Sequence, residues 1–134
     1  MSRILSSLFL TFLTLTADLS ARAEEPKSIK PEEARQHVDQ TITTKFPVRH
    51  AKHGVHRKTY FLDSEQDFRS EKNLGVQISE AVAAKLKQEK SIGEPHLHYA
   101  DKTIRVTGKV FLQEDRAYLQ IEKVDQIEIV ETAN

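Results

Sequence analysis

Apolar and polar residues alternate along three stretches in the first half of the chain. Residues 41–49 and 74–78 alternate throughout, and residues 58–62 are a short, mostly apolar run. Because successive side chains of a strand point to opposite faces, these stretches predict three β-strands. Pro47 cannot donate to a ladder, so the first strand is predicted to be at an edge or bulged there. The predicted inward residues are Ile42, Thr44, Phe46, Val48, Leu74, Val76 and Ile78.

One helix is predicted to follow the third strand. Ser79 is a residue type that caps helix N-termini, and residues 80–90 are rich in strong helix formers. Its apolar stripe is narrow, so the helix is expected to lie on the outside of the sheet. Residues 31–38 predict a second, short helix, because Pro31 suits a first helical turn. The narrow stripe consists of Val82, Ala83 and Leu86.

The second half of the chain ends in two long strands. They are predicted at 103–112 and from 117 onwards, joined by a polar turn at 113–116, with a kink near Val124 before the last apolar residues. Gly108 lies on the inward face, where a small barrel bends sharply. The predicted inward residues are Ile104, Val106, Val110, Leu112, Ala117, Leu119 and Ile121.

The order strand–strand–strand–helix–strand–strand indicates a mainly β protein, a five-stranded OB-fold Greek-key barrel. The segments FLDSEQDFRSEKNLGVQIS and KTIRVTGKVFLQEDRAYLQIEKVDQIEIV resemble small exported bacterial proteins of OB-fold type. The resemblance extends over about residues 29–131 and implies one domain over 31–131. It also implies a binding role, because the family includes nucleic-acid binders, oligosaccharide binders and domains without an assigned ligand. No catalytic motif accompanies it.

The N-terminus predicts a secretory signal peptide over residues 1–23. A short positive start precedes the apolar run 4–16, and small residues precede a cleavage point after Ala23. The run is shorter than the roughly 20 residues of a membrane-spanning helix. An uncleaved anchor is the alternative, which Asp18 disfavours. We therefore expect a periplasmic or secreted protein without membrane insertion, beginning with a flexible lead-in at 24–30.

Charge and cysteine content narrow the function classes. The chain has 20 basic and 20 acidic residues and a formal net charge of zero, so any attraction to a polyanion must come from a local patch. It has no cysteine, which excludes thiolate catalysis, iron–sulfur clusters and cysteine-based zinc sites. It also lacks a nucleophile elbow, a phosphate loop and an H-E-x-x-H motif. We expect no enzymatic activity and no cofactor.

A ligand groove is predicted between two connections of the barrel. Ligands of OB-folds lie across the second and third strands, between the loops that join strands one to two and four to five. The first loop, predicted at 50–57, is basic, and aromatic residues lie nearby; aromatics stack on bases while cations follow phosphates. Tyr60 and Phe61 are adjacent, so one of them must face the core. Nearby acidic residues such as Glu114 leave a second interpretation, a solvated rim over core aromatics. The predicted groove residues are Lys52, Arg57, Tyr60, Phe68, Arg69, Arg116 and Tyr118.

Five histidines in two predicted loops allow a metal-binding alternative. Imidazole is a common ligand of zinc, copper and nickel, and histidines two apart on an extended chain project to the same side. Solvated loop histidines are the simpler interpretation. The alternative ligands are His50, His53, His56, His96 and His98.

The sequence as a whole predicts an exported, monomeric binding module. Its ligand is a single-stranded nucleic acid, an oligosaccharide or a small anion. Two alternatives remain open at this point. One is a protein–protein interaction domain of the cell envelope that pairs through the edge of the strand containing Pro47, and the other is a protein that binds metal through its histidine loops.

Overall fold

The computed structural model describes residues 26–130, and most of their regular structure is β-strand. The predicted signal peptide, residues 1–23, lies outside the described residues. The helices are α1 (Glu80–Lys90), the single turn α2 (Pro95–His98) and two 3₁₀ helices (Pro31–His37 and Val124–Gln126). The strands are β1 (Lys27–Ile29), β2 (Thr41–Pro47), β3 (His50–Gly54), β4 (Thr59–Asp63), β5 (Leu74–Ser79), β6 (Thr103–Gln113), β7 (Arg116–Ile121) and β8 (Ile127–Ile129).

The strands form one curled sheet in the order β1-β2-β6-β7-β5-β4-β3, with β8 added beside β6. β2 and β3 lie towards opposite ends of this order, yet only Val48 and Arg49 separate them in the chain. The bend forms backbone hydrogen bonds in two directions. Val48 N donates to Lys102 O, just before β6, and Arg49 N donates to Asp63 O, at the end of β4. The sheet is therefore strongly curled, because the chain passes from β2 to β3 within two residues while the strand order places these strands far apart.

The mainly β class is confirmed, but the predicted count of five strands is wrong. The five predicted strands correspond to β2, β4, β5, β6 and β7, and α1 lies between β5 and β6 as expected. Three further strands, β1, β3 and β8, raise the count to eight. β1 and β8 have three residues each and pair with the longer strands β2 and β6, whereas β3 and its partner β4 have five residues each.

The predicted inward faces form the core with one exception. The inward residues of β2, β5 and β7 are buried, as are Ile104, Val106 and Val110 of β6. The alternation predicts that Leu112 continues that row, but Leu112 is 44 % exposed. The alternation is intact, yet β6 has by then run past the core into the β6–β7 hairpin. The prediction for Leu112 is therefore wrong.

Residues 50–57 do not form the predicted loop. Residues His50–Gly54 are strand β3, which pairs antiparallel with β4, and only 55–58 form a turn. The sequence of β3 is HAKHG, which lacks the apolar alternation that marks a half-buried strand. None of its five residues is fully buried. Its backbone hydrogen bonds to β4 make it a strand in spite of its polar sequence.

The two ends of the described chain also differ from expectation. Residues 27–29 of the expected flexible lead-in form β1, which pairs parallel with residues 42–44. The short N-terminal helix is present as a 3₁₀ helix, with Ala34 fully buried. The last strand does not continue through its kink, because β7 ends at Ile121 and β8 pairs with β6. Gln126 holds this break, since its side-chain oxygen accepts from the backbone N–H groups of residues 122 and 123.

Helix α1 begins and ends as its sequence predicts. The Ser79 hydroxyl accepts from Val82 N at 3.2 Å, an N-cap contact. Ser91 takes a left-handed conformation at the C-terminus, where Ser91 N donates to Lys87 O. The three stripe residues are the buried ones, so α1 packs on the sheet through one narrow face.

Candidate functional site

A groove of about 270 Å³ lies on the outer face of the sheet, between the β3–β4 turn and the β6–β7 turn. Ligand pockets in proteins commonly measure roughly 300–1,000 Å³, so this space suits one ring-sized unit of a ligand. Its walls combine cations, aromatic rings and two carboxylates. The lining residues are Lys52, Gly54, Val55, His56, Arg57, Phe61, Asp63, Phe68, Glu114, Arg116 and Tyr118.

The alternation of β4 decides which of its side chains reach the groove. Tyr60 and Leu62 belong to the hydrophobic core, while Phe61 and Asp63 line the groove. The prediction that Tyr60 lines the groove is therefore wrong, and Phe61 takes its place. A shift of one residue along a strand moves a side chain to the opposite face.

Two glycines let aromatic rings lie against the sheet at the groove floor. A Cβ on Gly75 would meet Tyr118 Cδ1 and Cε1 at 2.8 Å, and a Cβ on Gly54 would meet Phe61 Cε2 at 3.0 Å. Both rings thus lie close over bare backbone. The exposed fractions of Phe61 and Tyr118 are only 7 % and 8 %, so these rings form an apolar floor beneath the charged side chains.

Phe68 carries three cations around its half-buried ring. Lys52 Nζ lies 4.6 Å from the ring centroid, and the guanidinium carbons of Arg116 and Arg69 lie at 5.2 Å and 5.3 Å. His50 stacks on the same ring with a centroid distance of 5.9 Å. Each cation–π contact contributes about 0.5–1 kcal/mol at exposed sites. Phe68 therefore gathers side chains from β3, β7 and its own loop at one point.

A buried polar network holds the Phe68 loop in place. Asn73 Nδ2 donates to Asp63 Oδ1 at 3.0 Å and to Phe68 O at 3.3 Å, and Asn73 Oδ1 accepts from Glu65 N. His50 Nδ1 donates to Asp63 Oδ2 at 2.9 Å. Asp63 and Asn73 are both buried, so their polar groups need these partners. The network gives the loop a fixed position on the sheet.

The opposite wall of the groove is a two-residue turn held by an arginine. Glu114 and Asp115 both have positive φ angles, 52° and 65°, as a tight hairpin turn of this length requires. Arg35 donates to Asp115 O at 2.6 Å and to its carboxylate at 3.1 Å. Arg57 lies 3.8 Å from Glu114 and links the two turns across the groove. This last pair is exposed on both sides and stabilises the fold little.

The positive charge of the groove is only partly neutralised. Asp63 is engaged by His50 and Asn73, and Glu114 is nearest to Arg57. Among residues 26–130, no carboxylate lies within salt-bridge distance of Lys52, Arg69 or Arg116. Those three side chains are the ones gathered at Phe68.

Five of the seven predicted groove residues lie together in this groove. They are Lys52, Arg57, Phe68, Arg116 and Tyr118. Arg69 reaches the edge of the Phe68 ring without lining the groove, and Tyr60 faces the core. Sequence reasoning missed Phe61, Asp63 and Asn73. Gly75 was the available signal, because a glycine on the outer face of a strand marks close approach by another group.

The histidines do not form the predicted loop clusters. His50 and His53 lie on strand β3, and His56 is exposed in the turn that follows. His96 and His98 lie on the helical turn α2 instead of an extended chain, so their spacing does not place them on the same side. Within residues 26–130, no group of three or more His, Cys, Asp or Glu side chains is arranged to hold a metal ion.

Two of these histidines belong to a second cluster, around Tyr60. The His53 ring stacks on Tyr60 at 4.0 Å, and the His96 ring lies 5.5 Å from Tyr60. His53 Nε2 lies 3.3 Å from a Glu80 carboxylate oxygen. Burial raises the pKa of Tyr60, and the nearby carboxylates of Glu94 and Glu80 raise it further. The cluster packs β3, β4 and the helical segments against one another.

Two further groups near the end of α2 have shifted pKa values. Burial lowers the pKa of His98, and the positive charge of Lys102 lowers it further. Burial raises the pKa of Tyr99 to about 12. Both shifts favour the neutral form, as expected where β6 begins against the core.

In the described part of the chain, no helix combines the length and the apolar character needed to cross a membrane.

No protein-family model matches the sequence, and no curated protein matches it either. Solved structures do share the fold at low sequence identity, and these neighbours are OB-fold proteins. The chain therefore has an OB-like fold, and the groove occupies the face and the two turns where OB-folds hold their ligands.

Three of these structures show the range of the likeness. Asparaginyl-tRNA synthetase from Pyrococcus horikoshii matches with a TM-score of 0.51 and 15% identity, over 78% of this chain and 23% of that chain. Yeast Stn1 and Ten1 match with a TM-score of 0.51 and 14% identity, over 81% and 64%. OBody AM1L10, bound to hen egg-white lysozyme, matches with a TM-score of 0.50 and 9% identity, over 81% and 97%. This chain thus spans less than a quarter of the synthetase.

Proposed function

We propose that this protein is a non-enzymatic binding module whose groove takes an anionic ligand, with single-stranded nucleic acid as the ligand class. The observation that carries the proposal is the convergence of Lys52, Arg69 and Arg116 on the Phe68 ring. The class of fold supports it, because OB-folds use this face to bind oligonucleotides and oligosaccharides. One of the similar structures is, as its name states, a tRNA synthetase.

The arrangement of charge favours an anion. The ring distances place Lys52 Nζ and Arg116 Cζ within about 10 Å of each other, which is about one Debye length at 0.1 M salt. These two cations therefore repel each other, and a phosphate between them would relieve that repulsion. A neutral oligosaccharide would gain nothing from this concentration of positive charge.

The ring of Phe68 supplies the second half of the interaction. It is half-buried, so part of its surface is available to a base, and Asn73 and Asp63 fix the backbone that carries it. Stacking of a base on an aromatic side chain is worth about 1–3 kcal/mol and tolerates any base. A cation next to a stacking ring is the arrangement by which proteins hold single strands without reading sequence.

The test is a binding titration of a labelled single-stranded oligonucleotide, followed by fluorescence anisotropy at several salt concentrations. In the double variant Lys52→Ala/Arg116→Ala we expect weaker binding and a salt slope shallower by about 1.4, the value for two lost phosphate contacts. The control is Lys85→Ala/Lys90→Ala, which removes the same charge from the exposed side of α1. Equal binding by both double variants, or no binding by the parent protein, would refute the proposal.

We also propose that the protein acts after export, on the strength of the sequence of residues 1–23. Fractionation of cells that make the full chain tests this directly. N-terminal sequencing of the exported form should begin at Glu24.

A protein partner is the second candidate, favoured by one observation about the sheet. Strand β2 pairs with both β1 and β6, so the edge containing Pro47 is covered over residues 42–44. Within the part of the chain that is described, β3 ends the strand order and pairs only with β4. β1 at the other end of the order also pairs with one strand, but it has three residues against five in β3, so β3 is the longer edge open to another strand. Pull-down from fresh extract tests it, and Ala51→Pro should abolish capture if this edge pairs.

A further inference from the structure

The outer face of the sheet continues beyond the groove, across β7 and onto β6. The strand register places Asp63, Gly75, Tyr118 and Phe111 side by side on the four adjacent strands β4, β5, β7 and β6. Asp63 and Tyr118 line the groove, and Phe111 lies past them. The groove thus covers only one part of a longer face.

Aromatic rings connect the groove to the far part of this face. The Phe61 and Tyr118 ring centroids are 6.4 Å apart, and those of Tyr118 and Phe111 are 5.9 Å apart. Tyr118 lies close against the backbone of Gly75, so it forms a low floor between the two regions. Phe111 is half-buried, like Phe68, whereas the two floor rings are nearly covered.

A second hollow of about 230 Å³ surrounds Phe111. It offers a half-buried ring for stacking, one cation and the exposed amide of Gln120, which can hydrogen-bond a base edge or a sugar. The Gln126 amide is engaged by the backbone of residues 107, 122 and 123. Its one carboxylate, on Glu122, is exposed. The hollow is lined by Lys109, Phe111, Gln120, Glu122 and Gln126.

We infer that the two hollows are successive subsites for one extended ligand, a single-stranded oligonucleotide with one base on Phe68 and a later one on Phe111. This inference rests on the proposed function and adds to it the length and the path of the ligand. The groove wall on β4, with Phe61 and Asp63, is three strand spacings from β6, or roughly 14 Å, so one nucleotide does not contact both that wall and Phe111. A ligand that contacts both rings spans several nucleotides, which agrees with site sizes of about 4–16 nucleotides for one OB-fold.

The test measures affinity against ligand length, using oligothymidylates of one to eight nucleotides and the purified protein. We expect affinity to rise steeply once the ligand is long enough to reach Phe111. Phe111→Ala should weaken the longest oligomer by about 5- to 150-fold, the effect of one stacked base, and leave the mononucleotide unchanged. Phe68→Ala should weaken every length.

Two further variants keep the result interpretable. Lys109→Glu changes an exposed side chain, so it should fold normally and should also weaken only the long oligomers. Leu97→Ala, a truncation at a position that is 68 % exposed and outside both hollows, should change nothing.

The outcomes separate this inference from the proposed function. Binding that is independent of length, with Phe111→Ala and Lys109→Glu both silent, would overturn the second subsite and leave the groove in place. No binding at any length would refute the proposed function and the inference with it. Length-dependent binding of heparin oligosaccharides, with no binding of oligothymidylates, would overturn the ligand class.

Discussion

The burial of two leucines at neighbouring positions of the β6–β7 hairpin can be tested by truncating each of them. Leu119 of β7 is fully buried and fits into the space left by Gly108, whose Cβ would lie 2.8 Å from Leu119 Cδ2. Leu112 of β6 is 44 % exposed. The two substitutions Leu119→Ala and Leu112→Ala remove the same three carbon atoms from opposite environments.

For Leu119→Ala we expect a loss of about 3–4 kcal/mol in the free energy of unfolding. Removal of three buried carbons costs about 2 kcal/mol at roughly 0.8 kcal/mol per methylene. The cavity adds to this, because Gly108 has no side chain that could move into the space. For Leu112→Ala the transfer cost is about halved and no closed cavity forms, so the loss should stay below about 1 kcal/mol.

The assay is urea denaturation followed by far-UV circular dichroism. A domain of this size has a total stability of roughly 5–15 kcal/mol, so the Leu119 variant should remain folded with a clearly lower midpoint and an unchanged slope. In thermal unfolding its midpoint should fall by on the order of 20 °C. Equal losses in the two variants would show that Leu112 is as buried as its alternation suggests. That result would refute the placement of Leu112 outside the core.

Two other predictions concern the helix cap and the high-pH limit of stability. Ser79→Ala should cost about 1 kcal/mol in urea denaturation, because it removes the N-cap contact to Val82 N, whereas Ser28→Ala at an exposed position of β1 should cost almost nothing; equal costs would contradict the capping role. Burial raises the pKa of Tyr99 to about 12, against about 10 in the unfolded chain, so its contribution to stability is complete below pH 10 and is lost between pH 10 and 12, by about 1.4 kcal/mol per pH unit. Phenylalanine cannot ionise, so the free energy of unfolding of Tyr99→Phe should rise relative to that of the parent protein between pH 10 and 12, as measured by urea denaturation at a series of fixed pH values. If the two free energies change in parallel with pH, the raised pKa of Tyr99 is contradicted.

The core of this fold could be predicted because its longer strands carry a regular row of apolar residues on their inward face. In β2 and β5 the inward residues occupy every second position, and the structure buries them as expected. Helix α1 carries both a capping serine and a run of strong helix formers, so its local sequence and its packing agree. Leu112 shows the limit of such a pattern, since alternation reports the orientation of a side chain and not how far the core extends.

Elements that exist through pairing alone could not be predicted. β3 is mostly polar and β1 has three residues, so their local patterns resemble those of loops. Their extended form comes from the backbone donors and acceptors of β4 and β2, which the local sequence does not reveal. The prediction that His50 and His53 are loop residues is wrong for the same reason.

The groove shows why residue types were easier to predict than residue orientation. The cations Lys52, Arg57 and Arg116 have long side chains, so they reach the groove despite errors in the strand boundaries around them. An aromatic ring on a strand lies on the face of the sheet to which its residue points. The choice between Tyr60 and Phe61 therefore depended on one residue of register.

Gly75 contained the missing information about that register. It lies on the opposite face of β5 from Leu74, Val76 and Ile78, so a glycine there leaves room for a ring on the outer face. The register pairs it with Tyr118 on one side and with Asp63, not Leu62, on the other. Since Asp63 faces outward, Phe61 two positions before it must do so as well, and Tyr60 must face the core. An outward glycine in a half-buried strand therefore marks the face on which a ring can lie, and the pairing of the strands then decides which neighbours share that face.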